Sequence, residues 1–203
     1  MVSIIDSISS KLSTDFFSLW ITTKWFLFII FDFLKSSVTR PLRDFVKENI
    51  FNILNHSKLI TVPLKSINIL DLYCGVGSFG IECVSRQIGE TTFVERDKTA
   101  LNILKKNIKK LDIENKTEIF EGNVSSCIEH TKKKFDIIFL DPPFAENFFI
   151  NDLKNIKKLK IINRNHLVVI HREKKSEDEL DEVLTILLSK NYGRSKILFG
   201  KLT

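Results

Sequence analysis

The stretch LDLYCGVGSFGIE, residues 70–82, decides the fold of this chain. It joins a mostly apolar run, INILDLY (67–73), to a turn with three glycines over residues 75–80. Buried parallel strands have this continuous apolar character, and a glycine turn lets such a strand lead directly into a helix. The stretch therefore predicts a strand, a tight turn and a helix over 79–87.

The same alternation of strands and helices continues to the end of the chain. The patterns predict further strands over 91–95, 117–122, 135–141, 166–172 and 196–202. They predict further helices from the Arg40-Pro41 pair to about His56 and over 98–111, 124–131, 150–160 and 176–190. Acidic residues early in the last of these helices suit a helix N-terminus. Strands that alternate with helices in this way predict an α/β fold, a mostly parallel sheet covered by helices on both faces.

The composition is that of one globular domain. The chain has 203 residues, 43% of them hydrophobic, and a net charge of +6. Its 7 Gly and 4 Pro exclude collagen-like and low-complexity classes. The three cysteines form no Cys-x-x-Cys pair, so we expect reduced thiols in the cytoplasm and no metal site.

The first 37 residues differ from the rest. Residues 1–37 contain three Lys and three Asp, so residues 38–203 carry the whole +6, which hints at an acidic partner. The stretch FFSLWITTKWFLFIIFDFL (16–34) is apolar at 14 of 19 positions, but Lys24 lies near its centre, which makes insertion into a bilayer marginal. We treat 1–37 as an atypical apolar and aromatic extension, with a wrong start, an interfacial or packing helix and a membrane span as open alternatives.

The glycine turn has the form Gly-x-Gly-x-x-Gly, and Glu95 follows 20 residues after Gly75, at the end of the next predicted strand. Glycines let backbone N–H groups approach a ligand, and a carboxylate at that strand end can accept hydrogen bonds from both ribose hydroxyls of an adenosine cofactor. The motif does not distinguish one adenosine cofactor from another. A purely structural turn between strand and helix is the alternative.

Asp71 helps to predict which adenosine cofactor the turn binds. An acid at the end of the first strand would repel a pyrophosphate, but it suits a ligand with an amino group and a sulfonium. This favours S-adenosylmethionine over a nicotinamide dinucleotide. The alternative is that Asp71 only caps the following turn.

The tetrapeptide Asp141-Pro142-Pro143-Phe144 follows the strand predicted over 135–141 and reaches the same edge of the sheet. Two prolines hold the backbone extended, so the Asp141 side chain and the Pro142 carbonyl can accept hydrogen bonds from one planar NH2 group. Phe144 can stack on the ring that carries this amine. Such a clamp predicts methyl transfer to a nitrogen, and a capped Pro-Pro loop is the structural alternative.

Residues 38–203 resemble the class I S-adenosylmethionine-dependent methyltransferases. More narrowly, they resemble the RsmD-like family of 16S ribosomal RNA (guanine 966-N2) methyltransferases. The resemblance rests on TRPLRDFVKENIFNIL (39–54), LDLYCGVGSFGIE (70–82), FVERD (93–97), FLDPPF (139–144) and Tyr192-Gly193. It implies the Rossmann-like class I methyltransferase fold, with a mostly parallel seven-stranded sheet.

The resemblance also implies roles for individual residues. The methionine end of S-adenosylmethionine would be held by Asp71, Tyr73, Gly75 and Gly77, the ribose by Glu95, and the adenine by Asn123 and Val124. The target guanine amine would be held by Asp141, Pro142, Pro143 and Phe144, and RNA by Arg40, Arg43, Lys47 and the lysine-rich stretch 154–175. The chain departs from the family pattern in Asn123, where the family usually has Asp. It also departs in the apolar 1–37, where the family has a basic hairpin.

The function implied is methylation of the exocyclic N2 of a guanine in 16S ribosomal RNA. The substrate would be the small subunit or an assembly intermediate, and we expect the enzyme to be a cytoplasmic monomer. DPPF is also similar to the motif of DNA adenine and protein glutamine methyltransferases, which remain alternatives. A nicotinamide-dependent oxidoreductase and a non-catalytic RNA-binding module are alternatives outside this class.

Overall fold

The computed structural model of the chain describes residues 44–143 and 147–203. The predicted extension over 1–37, Arg40, Arg43 and Phe144 lie outside these residues. The helices are α1 (Asp44–His56), α2 (Ser78–Ser85), α3 (Lys98–Lys110), α4 (Val124–His130) and α5 (Phe148–Leu159). The strands are β1 (Asn68–Leu72), β2 (Glu90–Glu95), β3 (Thr117–Glu121), β4 (Phe135–Leu140), β5 (Ile162–Glu173), β6 (Leu184–Tyr192) and β7 (Ser195–Leu202).

The strands form one seven-stranded sheet in the order β3-β2-β1-β4-β5-β7-β6. The pairs from β3 to β5 are parallel, whereas β7 is antiparallel to both of its neighbours. β1 pairs with both β2 and β4, so the order of the strands reverses at β1. Ligands of open α/β sheets bind at such a reversal, outside the carboxyl ends of the strands.

Two clusters of buried hydrophobic residues cover the two faces of the sheet. Successive side chains of a strand point to opposite faces, and β1 accordingly contributes Leu70 and Leu72 to one cluster and Ile69 to the other. The first cluster contains side chains of α4 and α5, and the second contains side chains of α1 and α2. Helices therefore pack on both faces, as the sequence predicts.

The helix predicted over 176–190 is wrong. Residues Leu184–Tyr192 form β6, which pairs with β7 through a two-residue turn. Gly193 in this turn has a φ of 60°, the left-handed conformation that hairpin turns of two residues require. The acidic residues that favour a helix start do not decide the structure here, because the apolar run LTILL pairs along β7 instead.

The other predicted elements are present, with ends displaced by a few residues. The strand predicted over 166–172 is longer, since β5 begins at Ile162, and the helix predicted over 150–160 begins at Phe148. Within the described ranges, no helix combines the length and the apolar character needed to cross a membrane.

Candidate active site

The turn after β1 has the backbone conformation that its glycines permit. Gly75 has a φ of 55° and Gly77 a φ of 81°, and the Gly77 N–H donates to the Cys74 carbonyl at 2.8 Å. A Cβ atom on Gly77 would overlap the side chain of Leu104 on α3. The turn therefore needs glycine for its dihedral angles and for the close approach of α3, and α2 begins at the next residue.

Glu95, at the end of β2, holds this turn. Its Oε2 atom accepts a hydrogen bond from the Gly75 N–H at 2.8 Å. Its Oε1 atom accepts from the N–H groups of Arg96 and Asp97, each at 2.8 Å. A carboxylate offers about four acceptor positions, so these three bonds leave room for one more donor. The structure thus brings Gly75 and Glu95 together, as the spacing predicts, and gives Glu95 a second task in shaping the turn.

Asp71 is buried at the end of β1, with 1% of its surface exposed. Its Oδ2 atom accepts from the Gly80 N–H of α2 at 2.9 Å, which is the capping role considered for it. Its Oδ1 atom is buried and has no hydrogen-bond partner within the described part of the chain. Burial raises the pKa of Asp71 well above its ordinary value, and the charges of Asp141 and Glu95 raise it further, against the Gly80 bond. A cation at Oδ1 would relieve this cost.

Tyr73 connects the end of β1 to two helices. It has a φ of 57°, and its hydroxyl donates to Oδ2 of Asp152 on α5. The Ser125 hydroxyl of α4 donates to Oδ1 of the same carboxylate at 3.3 Å. Burial raises the pKa of Asp152, while the two hydroxyl bonds act in the opposite direction. Sequence reasoning missed Asp152, although its place on the apolar stripe of α5, beside Phe149 and Leu153, is a signal.

Asn123 and Val124 lie after β3, beside Glu95. The Gly122 N–H donates to the Glu95 carbonyl at 2.9 Å, which fixes this turn against the end of β2. Asn123 is the N-cap of α4, and its side-chain oxygen accepts from the Ser126 N–H at 2.8 Å. Val124 is buried, with 6% exposed. The predicted adenine residues are therefore next to the predicted ribose residue.

Asp141 follows β4 and is bound to a histidine. Its Oδ1 atom lies 2.8 Å from Nδ1 of His171, and Nε2 of His171 lies 2.9 Å from the Ser195 hydroxyl. The register that pairs Leu140 with Ile170 places Asp141 and His171 side by side. Sequence reasoning missed His171 and Ser195. The available signal is a histidine that directly follows the apolar run of β5 at this edge of the sheet.

Arg172, the next residue of β5, is fully buried. Its guanidinium donates to both carboxylate oxygens of Asp178, at 2.8–3.2 Å, and lies 4.8 Å from the centre of the Phe149 ring. It also donates to the Pro143 carbonyl at 3.2 Å and to the Asn147 side-chain oxygen at 3.4 Å. Arg172 therefore holds both residues that border 144–146, and it is not the exposed RNA contact that its place in 154–175 suggests.

The rest of the lysine-rich stretch is divided between two edges of the sheet. Lys157, Lys158 and Lys160 are exposed at the end of α5, on the side where β5 begins. Lys174 and Lys175 are exposed after β5, on the side of Asp141. The side chain of Lys47 on α1 is 10% exposed and pairs with Asp44 at 3.1 Å.

The three cysteines all lie within the described residues. Cys74, Cys83 and Cys127 are free thiols, and burial raises the pKa of each, that of Cys127 to about 11. A search of 44–143 and 147–203 finds no group of three or more His, Cys, Asp or Glu side chains that could hold a metal ion.

The fold and the site together define a class. A seven-stranded sheet with β7 inserted antiparallel between β5 and β6 is the Rossmann-like fold of the class I methyltransferases. The glycine turn, Asp71, Glu95 and Asp141 all lie at the carboxyl ends of its central strands. The sequence-based prediction of the fold is confirmed.

Comparison with known proteins narrows the class to a family. A family model described as "Conserved hypothetical protein 95" matches residues 30–201. The chain belongs to this family, the RsmD-like methyltransferases that its motifs resemble.

Two relatives and a solved structure show the extent of the likeness. "Ribosomal RNA small subunit methyltransferase D" of Buchnera aphidicola subsp. Baizongia pistaciae is 33% identical over 134 residues, which are 66% of this chain and 65% of that protein. The protein of that name from Haemophilus influenzae is 32% identical over 164 residues, 79% of this chain and 81% of the relative. The structure of a conserved hypothetical protein from Streptococcus pyogenes has a TM-score of 0.68 and 26% identity, and covers 78% of this chain and 95% of its own.

Proposed function

We propose that this protein transfers the methyl group of S-adenosylmethionine to the exocyclic N2 of a guanine in 16S ribosomal RNA, guanine 966 by likeness to the family. The observation that carries the proposal is the position of Asp141. Asp141 lies near Asp71, a buried acid whose Oδ1 atom has no partner among the described residues. Both are at the sheet edge where Glu95 is bonded to the glycine turn. The names of the relatives point to ribosomal RNA of the small subunit.

The described residues fit S-adenosylmethionine. The unpartnered Oδ1 atom of Asp71 suits the amino group of the methionine end, because a buried carboxylate favours a cation. Glu95 has acceptor capacity left for a ribose hydroxyl. Asn123 and Val124 follow Gly122, whose N–H donates to the Glu95 carbonyl. When bound, S-adenosylmethionine supplies a sulfonium methyl group that an amine nitrogen can displace.

Asp141 and Pro142 would hold the target amine. Oδ1 of Asp141 is engaged by His171, so Oδ2 is the oxygen that accepts an N–H of the guanine amine. The Pro142 carbonyl can accept the second N–H, and Phe144 would stack on the ring. The lone pair of such an amine is delocalised into the base, so the contribution of the clamp is orientation more than base catalysis.

The RNA partner must present an accessible base. A guanine can enter this clamp only if it leaves its stack, which a loop nucleotide does at lower cost than a paired one. The basic net charge of +6 supports contact with phosphates. The substrate would be the small subunit or an assembly intermediate.

Label transfer to unmodified particles tests the function. The purified protein is incubated with S-adenosylmethionine labelled with tritium in the methyl group and with 30S particles from a strain that lacks the modification. We expect label in 16S RNA and N2-methylguanosine as the labelled nucleoside. Label in another nucleoside, label in a ribosomal protein, or the absence of transfer would contradict the proposal.

A further inference from the structure

Asp141, His171 and Ser195 form a chain of side chains across three strands. Asp141 follows β4, His171 lies near the end of β5, and Ser195 begins β7. β5 is parallel to β4 and antiparallel to β7, so the carboxyl ends of β4 and β5 meet the start of β7. His171 and Ser195 therefore belong to strands of the sheet, and Asp141 directly follows one.

When Asp141 is ionised and the His171 ring is neutral, their hydrogen-bond partners determine which ring nitrogen carries the proton. An ionised carboxylate can only accept, so Nδ1 of His171 must carry a proton and donate it to Oδ1 of Asp141. In the neutral ring, Nε2 then accepts from the Ser195 hydroxyl. Both ring nitrogens are engaged at 2.8 and 2.9 Å, and the side chain is 10% exposed, so the imidazole cannot turn without breaking these hydrogen bonds.

We propose that His171 is a positioning residue, which fixes the rotation of the Asp141 carboxylate and thereby directs its Oδ2 atom to the target amine. This inference rests on the proposed function. A terminal carboxylate rotates easily about its last torsion, and a displacement of about 1 Å at a reacting group can reduce the rate about 100-fold. Ser195 holds the imidazole ring of His171. This role requires no contact between Ser195 and the substrate.

Two substitutions of His171 separate positioning from packing. His171→Asn keeps an N–H donor near the place of Nδ1, whereas His171→Leu keeps apolar volume and removes the donor. We expect kcat for methyl transfer to 30S particles to fall about 10- to 100-fold in His171→Leu and to stay within about threefold of wild type in His171→Asn. We expect the Kd for S-adenosylmethionine to change less than about twofold in both variants.

Equal activity of the two variants, or wild-type kcat in His171→Leu, would overturn the proposal. Melting temperatures of both variants serve as the control for folding. A purely structural histidine would lower activity in step with stability and would not distinguish Asn from Leu.

The imidazole tautomer gives a second test that needs no activity. The chain has 4 His residues, and comparison of wild type with His171→Asn identifies the 15N signals of His171. We expect the neutral ring to carry its proton on Nδ1 in wild type and to lose this preference in Asp141→Ala. A neutral ring with its proton on Nε2 in the wild-type protein would contradict the positioning role. Failure of wild type to methylate 30S particles would instead contradict the proposed function.

Discussion

The burial of the Asp71 carboxylate has a cost in stability. Its carboxylate is almost completely shielded from water, and only Oδ2 has a partner in the described structure. Burial is the main cause of its raised pKa, with the charges of Asp141 and Glu95 adding to it. The native state therefore holds the proton of this group more tightly than the unfolded chain does. The stability linked to Asp71 is full below its ordinary pKa and is lost as the pH rises through the higher native value.

This linkage predicts a gain in stability from Asp71→Asn. The amide keeps an oxygen for the Gly80 N–H and removes the buried charge, so the melting temperature of the cofactor-free protein should rise at pH 7 and change little at pH 3. The Kd for S-adenosylmethionine should rise at least about 10-fold, because the amide offers no charge to an amino group. Calorimetric scans and titrations of Asp71→Asn measure both, with exposed Asp181→Asn as the control. A less stable variant with unchanged affinity would show that Asp71 only caps α2.

The predictability of the site differs from residue to residue. The order of Asp71, Gly75 and Glu95 along a strand, turn, helix and second strand predicted that they lie at one edge of the sheet, because the chain connects these elements directly. His171 and Ser195 could not be predicted in the same way. The contact of His171 with Asp141 depends on the pairing of β5 with β4, and the contact of Ser195 with His171 depends on the pairing of β7 with β5, which no local pattern specifies.

At the scale of elements, Arg172 connects β5 with Pro143 and Asn147 and with the chain between β5 and β6. Its buried ion pair with Asp178 fixes the chain between β5 and β6, and its bonds to Pro143 and Asn147 fix the two sides of 144–146. Neither side chain of the pair is more than 2% exposed. A buried charge that loses its partner is costly, so the end of β5 and the chain between β5 and β6 depend on this pair.

Asp178→Ala should therefore be severely destabilising. It leaves the Arg172 guanidinium buried without its carboxylate, and the expected loss in the free energy of unfolding is about 3–5 kcal/mol. Urea unfolding measures this loss, and Glu179→Ala, at an exposed neighbouring position, should stay within about 0.5 kcal/mol of wild type. A loss below about 1 kcal/mol in Asp178→Ala would contradict this role.

Residues 176–190, which contain Asp178, show where a local sequence pattern predicts the wrong secondary structure. The strands β1 to β4 and the helices between them could be predicted, because their apolar runs and periodicity agree with their tertiary environment. Residues 176–190 have acids suited to a helix start, but Asp178 is bound to Arg172 and Leu184–Tyr192 pair with β7. Long-range partners therefore override the local preference.

At the scale of the whole molecule, the exposed lysines of the stretch 154–175 lie on two sides of the sheet, and the candidate site lies on one of them. The candidate site is at the carboxyl ends of the strands, and Lys174 and Lys175 are exposed on that side. Lys157 and Lys158 are exposed at the end of α5, on the side where β5 begins. An RNA whose guanine occupies the site should meet the first pair and not the second.

Charge reversal in each of these two lysine pairs should show which pair contacts the RNA. Lys174→Glu with Lys175→Glu should raise KM for 30S particles at least about 10-fold. The double variant should also bind with a weaker salt dependence, since each lost phosphate contact lowers the slope of log K against log salt concentration by about 1. Lys157→Glu with Lys158→Glu changes the net charge equally and should leave both quantities near wild type. Filter binding over a range of salt concentrations measures the slope. Equal effects of the two double variants would indicate contact through net charge alone.

Single-turnover methyl transfer by Asp141→Asn tests the proposed role of Asp141 most directly. The protein is saturated with S-adenosylmethionine and mixed with unmodified 30S particles, and calorimetry on the same preparation checks the cofactor Kd. We predict a rate at least about 100-fold below wild type, because the amide presents an altered acceptor to the guanine amine and disturbs the bond to His171, with the cofactor Kd within about threefold of wild type. Transfer at the wild-type rate would contradict the assignment of Asp141 as the residue that holds the target amine.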